Sequence, residues 1–256
     1  MKRLWNSFKI AFSMYSKIPM PYSDWSKENM KYSMCFFPLI GIVIGALIVG
    51  ANALFQQLPF NGSLETVIYL LIPLMITGGI HFDGFLDTQD ALNSHQEKER
   101  KLEILKDPHT GAFAIITACF YYLLAFGIWS EVTRCSIWIL AIGFVLSRAL
   151  SGLSVVTFPL AKNSGLAATF SENAQKKRVR ITMIVYVILC LFGMSIISWQ
   201  LAVVAVAISL IIFFYYYHRC KKEFGGMTGD LAGYFLSICE LGMAIAVIIY
   251  DRCIMK

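Results

Sequence analysis

Charged residues are scarce in this chain: Asp, Glu, Lys and Arg make up only 15% of its 256 residues, whereas 57% are hydrophobic. Charge is absent from three long stretches, residues 32–64, 110–130 and 181–217. Each stretch can cross the apolar part of a bilayer, which takes about 20 residues of helix. This composition excludes an ordinary soluble domain and predicts an all-α polytopic membrane protein, because backbone groups in lipid must pair within their own segment.

Paired cysteines and a cleavable leader are also missing. The seven cysteines are scattered without a Cys-x-x-Cys pair, which predicts small apolar packing residues rather than disulfides or zinc ligands. Lys9 and Lys17 interrupt the apolar residues near the N-terminus, so no signal peptide is expected. A net charge of +6 is compatible with nucleic-acid binding, but the placement of the basic residues in loops explains it better, so no nucleic-acid partner is predicted.

A single integral membrane domain, residues 1–256, accounts for the whole chain. Residues 1–20 mix basic with apolar and aromatic residues, which predicts an interfacial amphipathic helix on the lipid bilayer that Pro19 and Pro21 end. The polar segment 91–109 is predicted to be helical, and a basic loop is predicted from Lys162 to Arg180. The apolar runs predict a bundle of about seven transmembrane helices, at roughly 34–57, 65–80, 111–130, 135–157, 181–198, 201–217 and 229–250.

The basic residues concentrate in alternate connections of this bundle. Most of them fall in the N-terminal segment and in residues 81–110, 158–180 and 218–226. The positive-inside rule therefore predicts the cytoplasmic (inner) cell membrane, with the N-terminus and these connections in the cytoplasm. Polar groups distant in sequence would then meet at one membrane boundary, which favours a catalytic site facing the cytoplasm over a pore.

Three aspartates follow directly on the second apolar run. In a helix, steps of about 100° per residue would put Asp83, Asp87 and Asp90 within about 60° of one another. Three carboxylates this close repel, so a cation is expected, and oxygen ligands favour a hard ion such as Mg²⁺. The alternative is a first helical turn enriched in Asp, which the helix dipole favours.

A glycine-rich turn, residues 225–229, precedes Asp230 at the predicted start of the last span. Glycines before a helix leave backbone N–H groups free to hold phosphate, so Gly226 and Thr228 are candidate substrate-binding residues. Asp230 is a candidate further metal ligand. The alternative is an ordinary glycine-rich turn with an Asp near the start of a helix.

Further charged residues are candidates for contacts with phosphate or with one another. Lys106 and Lys162 are candidate phosphate contacts, and ordinary positive-inside loop charge is the alternative for each. Glu240 lies within the last apolar span, where Arg148 is its candidate partner. A structural ion pair is favoured over a catalytic role for these two residues. Asp107 precedes Pro108, which is typical of a helix entry.

Five motifs carry a family resemblance: the opening residues 1–21, residues 79–90 with the pattern His81-x-Asp83-Gly84-x-x-Asp87-x-x-Asp90, residues 100–113, Ser147-Arg148, and residues 226–233, which begin Gly226-Met227-Thr228-Gly229-Asp230 and end at Gly233. Together they resemble one family, the cobalamin synthases, which are adenosylcobinamide-GDP ribazoletransferases of the cytoplasmic membrane. The resemblance covers essentially the whole chain. One departure is Ala91, where many members have Gly, and a methyl group should be tolerated there on a helix.

The resemblance implies the final assembly of the corrinoid nucleotide loop. In that reaction α-ribazole or its 5′-phosphate displaces GMP from adenosylcobinamide-GDP, which gives adenosylcobalamin or its phosphate. Phosphoryl transfer across a diphosphate needs positioning and charge neutralisation. The implied cofactor is Mg²⁺ on Asp83, Asp87 and Asp90. Asp230 would be a further ligand.

The resemblance also implies roles for residues outside the metal site. Lys106, Arg148 or Lys162 would neutralise the leaving GMP. Asp107, or a member of the acidic motif that the metal does not fully engage, such as Asp83, would take the proton from the attacking ribose hydroxyl. The oligomeric state is left open, with a homo-oligomer among the options.

Two rival functions are weighed against this one. A CDP-alcohol phosphotransferase also uses an Asp-rich helix and Mg²⁺, but Leu86-Asp87 stands where its pattern needs Ala-Arg. A cation-coupled transporter would place its carboxylates near mid-membrane in two related halves. The sequence shows no internal repeat, so the transferase is favoured.

Overall fold

A computed structural model describes residues 2–60, 62–162 and 165–254. Within these ranges the chain is helical and has no strand, apart from one isolated bridge between Leu160 and Met227. The all-α prediction is therefore confirmed. The helices are α1 (Lys2–Tyr15), α2 (Lys27–Met30), α3 (Phe37–Phe55), α4 (Gly62–Thr77), α5 (Ile80–Asn93), α6 (Lys98–Ile104), α7 (Ala112–Trp129), α8 (Arg134–Thr157), α9 (Leu166–Asn173), α10 (Lys176–Ile197), α11 (Trp199–Phe224) and α12 (Gly229–Cys253), with a 3-10 turn at Ser33–Phe36 before α3.

Among the described residues, six helices are long and apolar enough to cross a membrane. A seventh is added only if α4 and α5, which meet at an angle of 94°, count as one span. The prediction of a polytopic bundle is confirmed, but the second span differs from the predicted 65–80. Helix α4 stops at Thr77 because Gly78 and Gly79 have φ of 65° and 81°, values that glycine adopts without strain and that end a right-handed helix.

The N-terminal helix is shorter than the predicted 1–20. It ends at Tyr15, before the two prolines, because the chain turns away to bond elsewhere: the Lys17 N–H donates to the Ile76 carbonyl at 2.7 Å. Ile10 is fully buried, whereas Trp5 is exposed, so α1 has the predicted amphipathic character. Its position on a bilayer surface stays a prediction.

Two connections between spans differ from their predicted secondary structure: one is less helical than predicted and the other is more helical. In the polar segment 91–109 only Lys98–Ile104 forms a separate helix, α6. A largely buried ion pair of 2.6 Å between Lys101 and Glu223 holds α6 against the end of α11. The predicted basic loop from Lys162 to Arg180 contains α9 and the start of α10, while residues 163 and 164 lie outside the described ranges.

Helix α8 is the centre of the bundle, and most of its residues are buried. It packs against α3, α10 and α12. A Cβ atom built on Gly41 would lie 2.3 Å from the Phe144 carbonyl oxygen, and one on Gly45 would lie 2.5 Å from that of Ala141. Small residues thus let the α3 and α8 backbones touch, as is common between membrane helices.

Candidate active site

The three aspartates of the acidic motif lie on one helix, as predicted. Helix α5 runs from Ile80 to Asn93, with Asp83 exposed and Asp87 and Asp90 partly buried. The Asp87 carboxylate lies within range of the charges of Asp83, Asp90 and Asp230. The structure therefore concentrates negative charge around Asp87, including a residue from the far end of the chain.

Glycines bring the start of α12 against this helix. A Cβ atom on Gly84 would lie 2.7 Å from the Cα of Asp230, and one on Gly233 would lie 2.5 Å from the His81 carbonyl oxygen. Any larger residue at either glycine would separate α5 from α12. This crossing explains how Asp230, predicted as a further metal ligand, comes to lie beside the acidic motif.

Asp90 has a structural role that the sequence reasoning missed. Its Oδ2 accepts the Gly111 N–H at 2.6 Å, and its Oδ1 accepts the Ala114 N–H at 2.8 Å. These N–H groups belong to the start of α7, so Asp90 caps that helix from a distance in sequence. A usable signal was the missing local cap: Gly111 occupies the N-cap position and has no side chain to accept these bonds.

The donors of the acidic motif suit Mg²⁺ in kind, because all of them are carboxylate oxygens. No group of three carboxylates, imidazoles or thiols in the described part of the chain converges closely enough to hold a metal ion. Magnesium does not need such a cage, since proteins commonly bind it through one or two carboxylates together with waters and substrate phosphates. Asp83 and Asp87 would fit that mode, with Asp230 nearby.

A cavity of about 240 Å³ gathers four of the predicted site residues, Lys106, Lys162, Thr228 and Asp230. We call it the basic cavity. Lys106 follows α6, Lys162 precedes α9, and Thr228 and Asp230 lie at the start of α12. Two ammonium groups, one carboxylate and a helix N-terminus therefore line the same space, a combination that suits a phosphate-bearing ligand.

Backbone pairing between two loops builds one wall of the basic cavity. The Met227 N–H donates to the Pro159 carbonyl at 2.8 Å, and the Ala161 N–H donates to the Met227 carbonyl at 3.0 Å. A Cβ atom on Gly226 would lie 2.4 Å from the Ala161 nitrogen. Gly226, predicted to bind substrate, is thus required by this close approach and is absent from the lining of the cavity.

Thr228, the other predicted binding residue of this turn, caps α12. Its Oγ1 accepts the Leu231 N–H at 3.2 Å, while the residue also lines the basic cavity. An N-cap of this kind fixes the direction in which the first turn of the helix points its N–H groups. Thr228 therefore positions the helix start that carries Asp230.

Arg148 is not brought to the basic cavity. It is 1% exposed, pairs with Glu240 at 2.8 Å and donates to the Phe144 carbonyl at 2.9 Å. Ser147 also donates to Glu240, at 2.8 Å. The predicted ion pair between Arg148 and Glu240 is thus confirmed, while its structural role stays a prediction. The arginine lines a separate cavity of about 70 Å³ between α4 and α7.

Asp107, predicted as a general base, lies on the surface after α6. It accepts the His109 N–H at 2.9 Å, and its Oδ1 lies 2.7 Å from the His109 Nδ1. These contacts hold the pKa of Asp107 below its usual range, which makes the carboxylate a weaker base. Its neighbour Lys106 lines the basic cavity, and Asp107 does not.

Comparison with known proteins agrees with the motifs. The model of the cobalamin-5-phosphate synthase family matches residues 7–248. The chain is 49% identical to the adenosylcobinamide-GDP ribazoletransferase of Lachnoclostridium phytofermentans over 246 residues, 96% of this chain and 94% of the relative. No solved structure matches the chain.

Two further relatives carry the same name. The chain is 34% identical to a protein of Clostridium botulinum over 248 residues, 94% of this chain and 96% of the relative. It is 31% identical to one of Geobacillus kaustophilus over 241 residues, 91% of each. The enzyme predicted from the motifs is therefore confirmed by the relatives, and the chain belongs to the cobalamin-5-phosphate synthase family.

Proposed function

We propose that the protein transfers the cobinamide phosphate of adenosylcobinamide-GDP to α-ribazole or its 5′-phosphate. The products are GMP and adenosylcobalamin or its phosphate. The relatives' names support this reaction. The observation that carries it is that Asp230 belongs both to the acidic surroundings of Asp87 and to the lining of the basic cavity.

The transfer breaks a phosphoanhydride bond and forms a phosphate ester bond. The ribose hydroxyl oxygen bonds to the phosphorus that carries the cobinamide, the bridging P–O bond to GMP breaks, and the hydroxyl proton passes to a carboxylate. Lys106 and Lys162 would neutralise the charge that builds up on the departing phosphate. Magnesium, when held by Asp83 and Asp87, would neutralise the diphosphate in the same way.

Asp83 is the better candidate for the proton acceptor than Asp107. Asp83 is exposed on the acidic helix, and its charge interacts with that of Asp230. Asp107 already accepts two contacts from His109, which hold its pKa below the usual range and make it a weaker base. The base is therefore a member of the acidic motif that the metal does not fully engage, such as Asp83, and Asp107 is a surface turn residue.

The proposed location is the cytoplasmic membrane, with the N-terminus and the site in the cytoplasm. The basic loops support this orientation. Lys106 and Lys162 come from the loops predicted to be cytoplasmic and line one cavity with Asp230. A transporter is less well supported, because the buried charges Arg148 and Glu240 neutralise each other.

The reaction can be tested with purified protein in detergent. Adenosylcobinamide-GDP and α-ribazole phosphate are supplied with and without Mg²⁺, and GMP release is measured for the wild type, Asp83→Asn and the exposed control Asp24→Asn. We expect release that needs both substrates and the metal, collapses in Asp83→Asn and survives in Asp24→Asn. No GMP from folded protein under any divalent metal would refute the proposal.

A further inference from the structure

Two parts of the chain form the walls of the basic cavity, and they are joined in different ways. The backbone pairing at Met227 ties the wall of Lys162 to the start of α12. The other wall is α6 with the residues that follow it, including Lys106. In the described part of the chain, the backbone hydrogen bonds of residues 98–106 stay within this segment or reach its immediate neighbours. The wall that carries Lys106 is therefore not anchored by backbone pairing.

The polar anchor of this wall is the ion pair between Lys101 on α6 and Glu223 at the end of α11. The Lys101 Nζ atom donates to the Glu223 Oε2 atom at 2.6 Å, and the two side chains are only 9% and 16% exposed. Within the described residues, this is the one polar side-chain contact that joins α6 to another helix. A pair so shielded from water is screened little by salt, and its charge-assisted hydrogen bond is a strong one.

Apolar packing alone would not hold α6 in one position. Leu102 and Leu105 are buried and line the basic cavity. Burial of apolar surface is favourable in many orientations, because the hydrophobic effect is non-directional. A helix of seven residues is also too short to be stable by itself, for which about 12 residues are needed. The hydrogen-bonded ion pair supplies the direction that the packing lacks.

The Glu223 side of the pair is firmly connected to the start of α12. Glu223 is the next-to-last residue of α11, and the glycine-rich turn follows at once. Gly225 has a φ of 74°, and the Gly226 N–H donates back to the Cys220 carbonyl at 2.9 Å, which closes the end of the helix. Glu223 and Asp230 are therefore joined by a short segment that hydrogen bonds hold in shape.

Resting on the proposed function, we propose that Lys101 and Glu223 are positioning residues, which hold the Lys106 ammonium group where it meets the diphosphate of adenosylcobinamide-GDP. Neither member of the pair is among the described residues that line the basic cavity, so the pair acts through Lys106 and does not touch the substrate. Lys101 shortly precedes Lys106 in the chain, and Glu223 shortly precedes Asp230. The ion pair thus holds the two walls of the cavity at a set distance.

The variant Lys101→Met tests this proposal, because methionine keeps much of the apolar length of lysine and removes the charge. Glu223 still has Arg219 as a partner, at 3.5 Å, so the carboxylate is not left without a counter-charge. GMP release is measured over a range of concentrations of each substrate. We expect the KM for adenosylcobinamide-GDP to rise about ten-fold, the lower end of the range for loss of a lysine that binds the phosphate. The KM for α-ribazole phosphate should stay unchanged, and kcat should fall no further than in Lys106→Met. A smaller amount of folded enzyme would instead lower kcat and leave both KM values unchanged.

A double variant shows whether the pair acts through Lys106. In the Lys106→Met background, Lys101→Met should raise this KM by less than about two-fold further, because no ammonium group remains to be displaced. The matched control is Lys98→Met, the same change at an exposed position of α6, which should leave the KM at the wild-type value. Full multiplication of the two effects would overturn the proposal. A folded Lys101→Met enzyme with a lower thermal midpoint and a wild-type KM would also overturn it, since the pair would then serve stability alone.

If Lys101→Met does not fold, Glu223→Gln breaks the same pair from the other side. It should give the same rise in the KM for adenosylcobinamide-GDP and the same loss of this effect in the Lys106→Met background. A wild-type KM in folded Glu223→Gln counts against the proposal as it does for Lys101→Met.

Failure of the proposed function itself would look different, since the wild type would then release no GMP. In that case equilibrium dialysis with GDP alone tests the ion pair. Binding to the wild type that weakens about ten-fold in Lys101→Met, and no further when Lys101→Met is added to Lys106→Met, supports the positioning role. No binding to folded wild-type protein, or equal binding to Lys101→Met, overturns it.

Discussion

Gly84 lies directly against the backbone of Asp230, so that a Cβ atom at Gly84 would fall 2.8 Å from the Asp230 carbonyl oxygen. The backbone atoms of Asp230 cannot move aside for a new Cβ atom as the end of a flexible side chain could. The acidic helix α5 and the start of α12 therefore keep their spacing only while this residue is glycine. The two carboxylate-bearing elements are coupled at this one point.

Gly84→Ala is expected to abolish most of the GMP release and to lower stability by about 1–3 kcal/mol, the usual cost of overpacking. The physical reason is that α5 must move away from Asp230. Release of GMP and the thermal midpoint in detergent would be measured. Gly127→Ala on α7, which has open space around it, is the control and should change neither quantity. A fully active Gly84→Ala enzyme would contradict the proposed coupling.

Asp83 and Asp90 belong to the same motif, but substitutions at the two residues should have different effects. Asp90→Ala removes the acceptor of two α7 N–H groups and is expected to cost about 0.5–2 kcal/mol of stability, the range for a lost helix cap. Asp83→Asn should stop GMP release and leave the thermal midpoint unchanged. Measuring both quantities in both variants separates the two roles. Equal thermal midpoints would show that the Asp90 cap contributes nothing.

The acidic helix was predictable from the sequence, whereas its setting was not. Helical spacing alone places Asp83, Asp87 and Asp90 on one face, and the glycine-rich turn before Asp230 is visible as a phosphate-binding signal. The 94° bend at Gly78 depends also on the bond from Lys17 to Ile76, which joins segments far apart in sequence. Local patterns carry no information about such contacts.

The absence of tertiary information in local patterns also explains why some predicted site residues turned out to have structural roles. The sequence does not reveal that Asp90 caps α7, the helix that follows Gly111. The hydrogen bonds concerned join two separate helices, α5 and α7. Gly226 resembled a phosphate-binding glycine, and the close approach of Leu160 that requires it is a tertiary contact. The Arg148–Glu240 pair was predictable, since two opposite charges in apolar spans must find each other.

The Arg148–Glu240 pair should matter for folding and not for substrate contact. Glu240→Gln leaves Arg148 buried without its counter-charge and is expected to destabilise the protein by about 3–5 kcal/mol. The double variant Arg148→Met with Glu240→Leu should recover much of this loss and should release GMP. Thermal unfolding and GMP release of the single and double variants would check it. A stable but inactive double variant would restore Arg148 as a substrate contact.

Asp107 should contribute to stability in a pH-dependent way but not to catalysis. His109 lowers its folded pKa below the unfolded value, so its contribution is present above the unfolded pKa and is lost as the pH falls through the folded pKa. Asp107→Asn should therefore match the wild type in acid and be slightly less stable at neutral pH. Unfolding curves across that range would show it. GMP release at neutral pH should stay within about two-fold of wild type, because a lost catalytic base would cost about 100-fold or more.

Lys106 and Lys162 should act on the phosphate-bearing substrate. Lys106→Met and Lys162→Met each remove one ammonium group from the basic cavity, and a hydrogen bond to a charged group is worth about 1.5–3 kcal/mol. The KM for adenosylcobinamide-GDP should therefore rise about 10- to 100-fold in each variant. Lys98→Met, an exposed substitution on α6 outside the lining of the cavity, is the control and should leave this KM unchanged. Steady-state GMP release at several substrate concentrations gives the values. A rise limited to the ribazole KM would contradict this assignment, because the lysines would then face the ribazole phosphate.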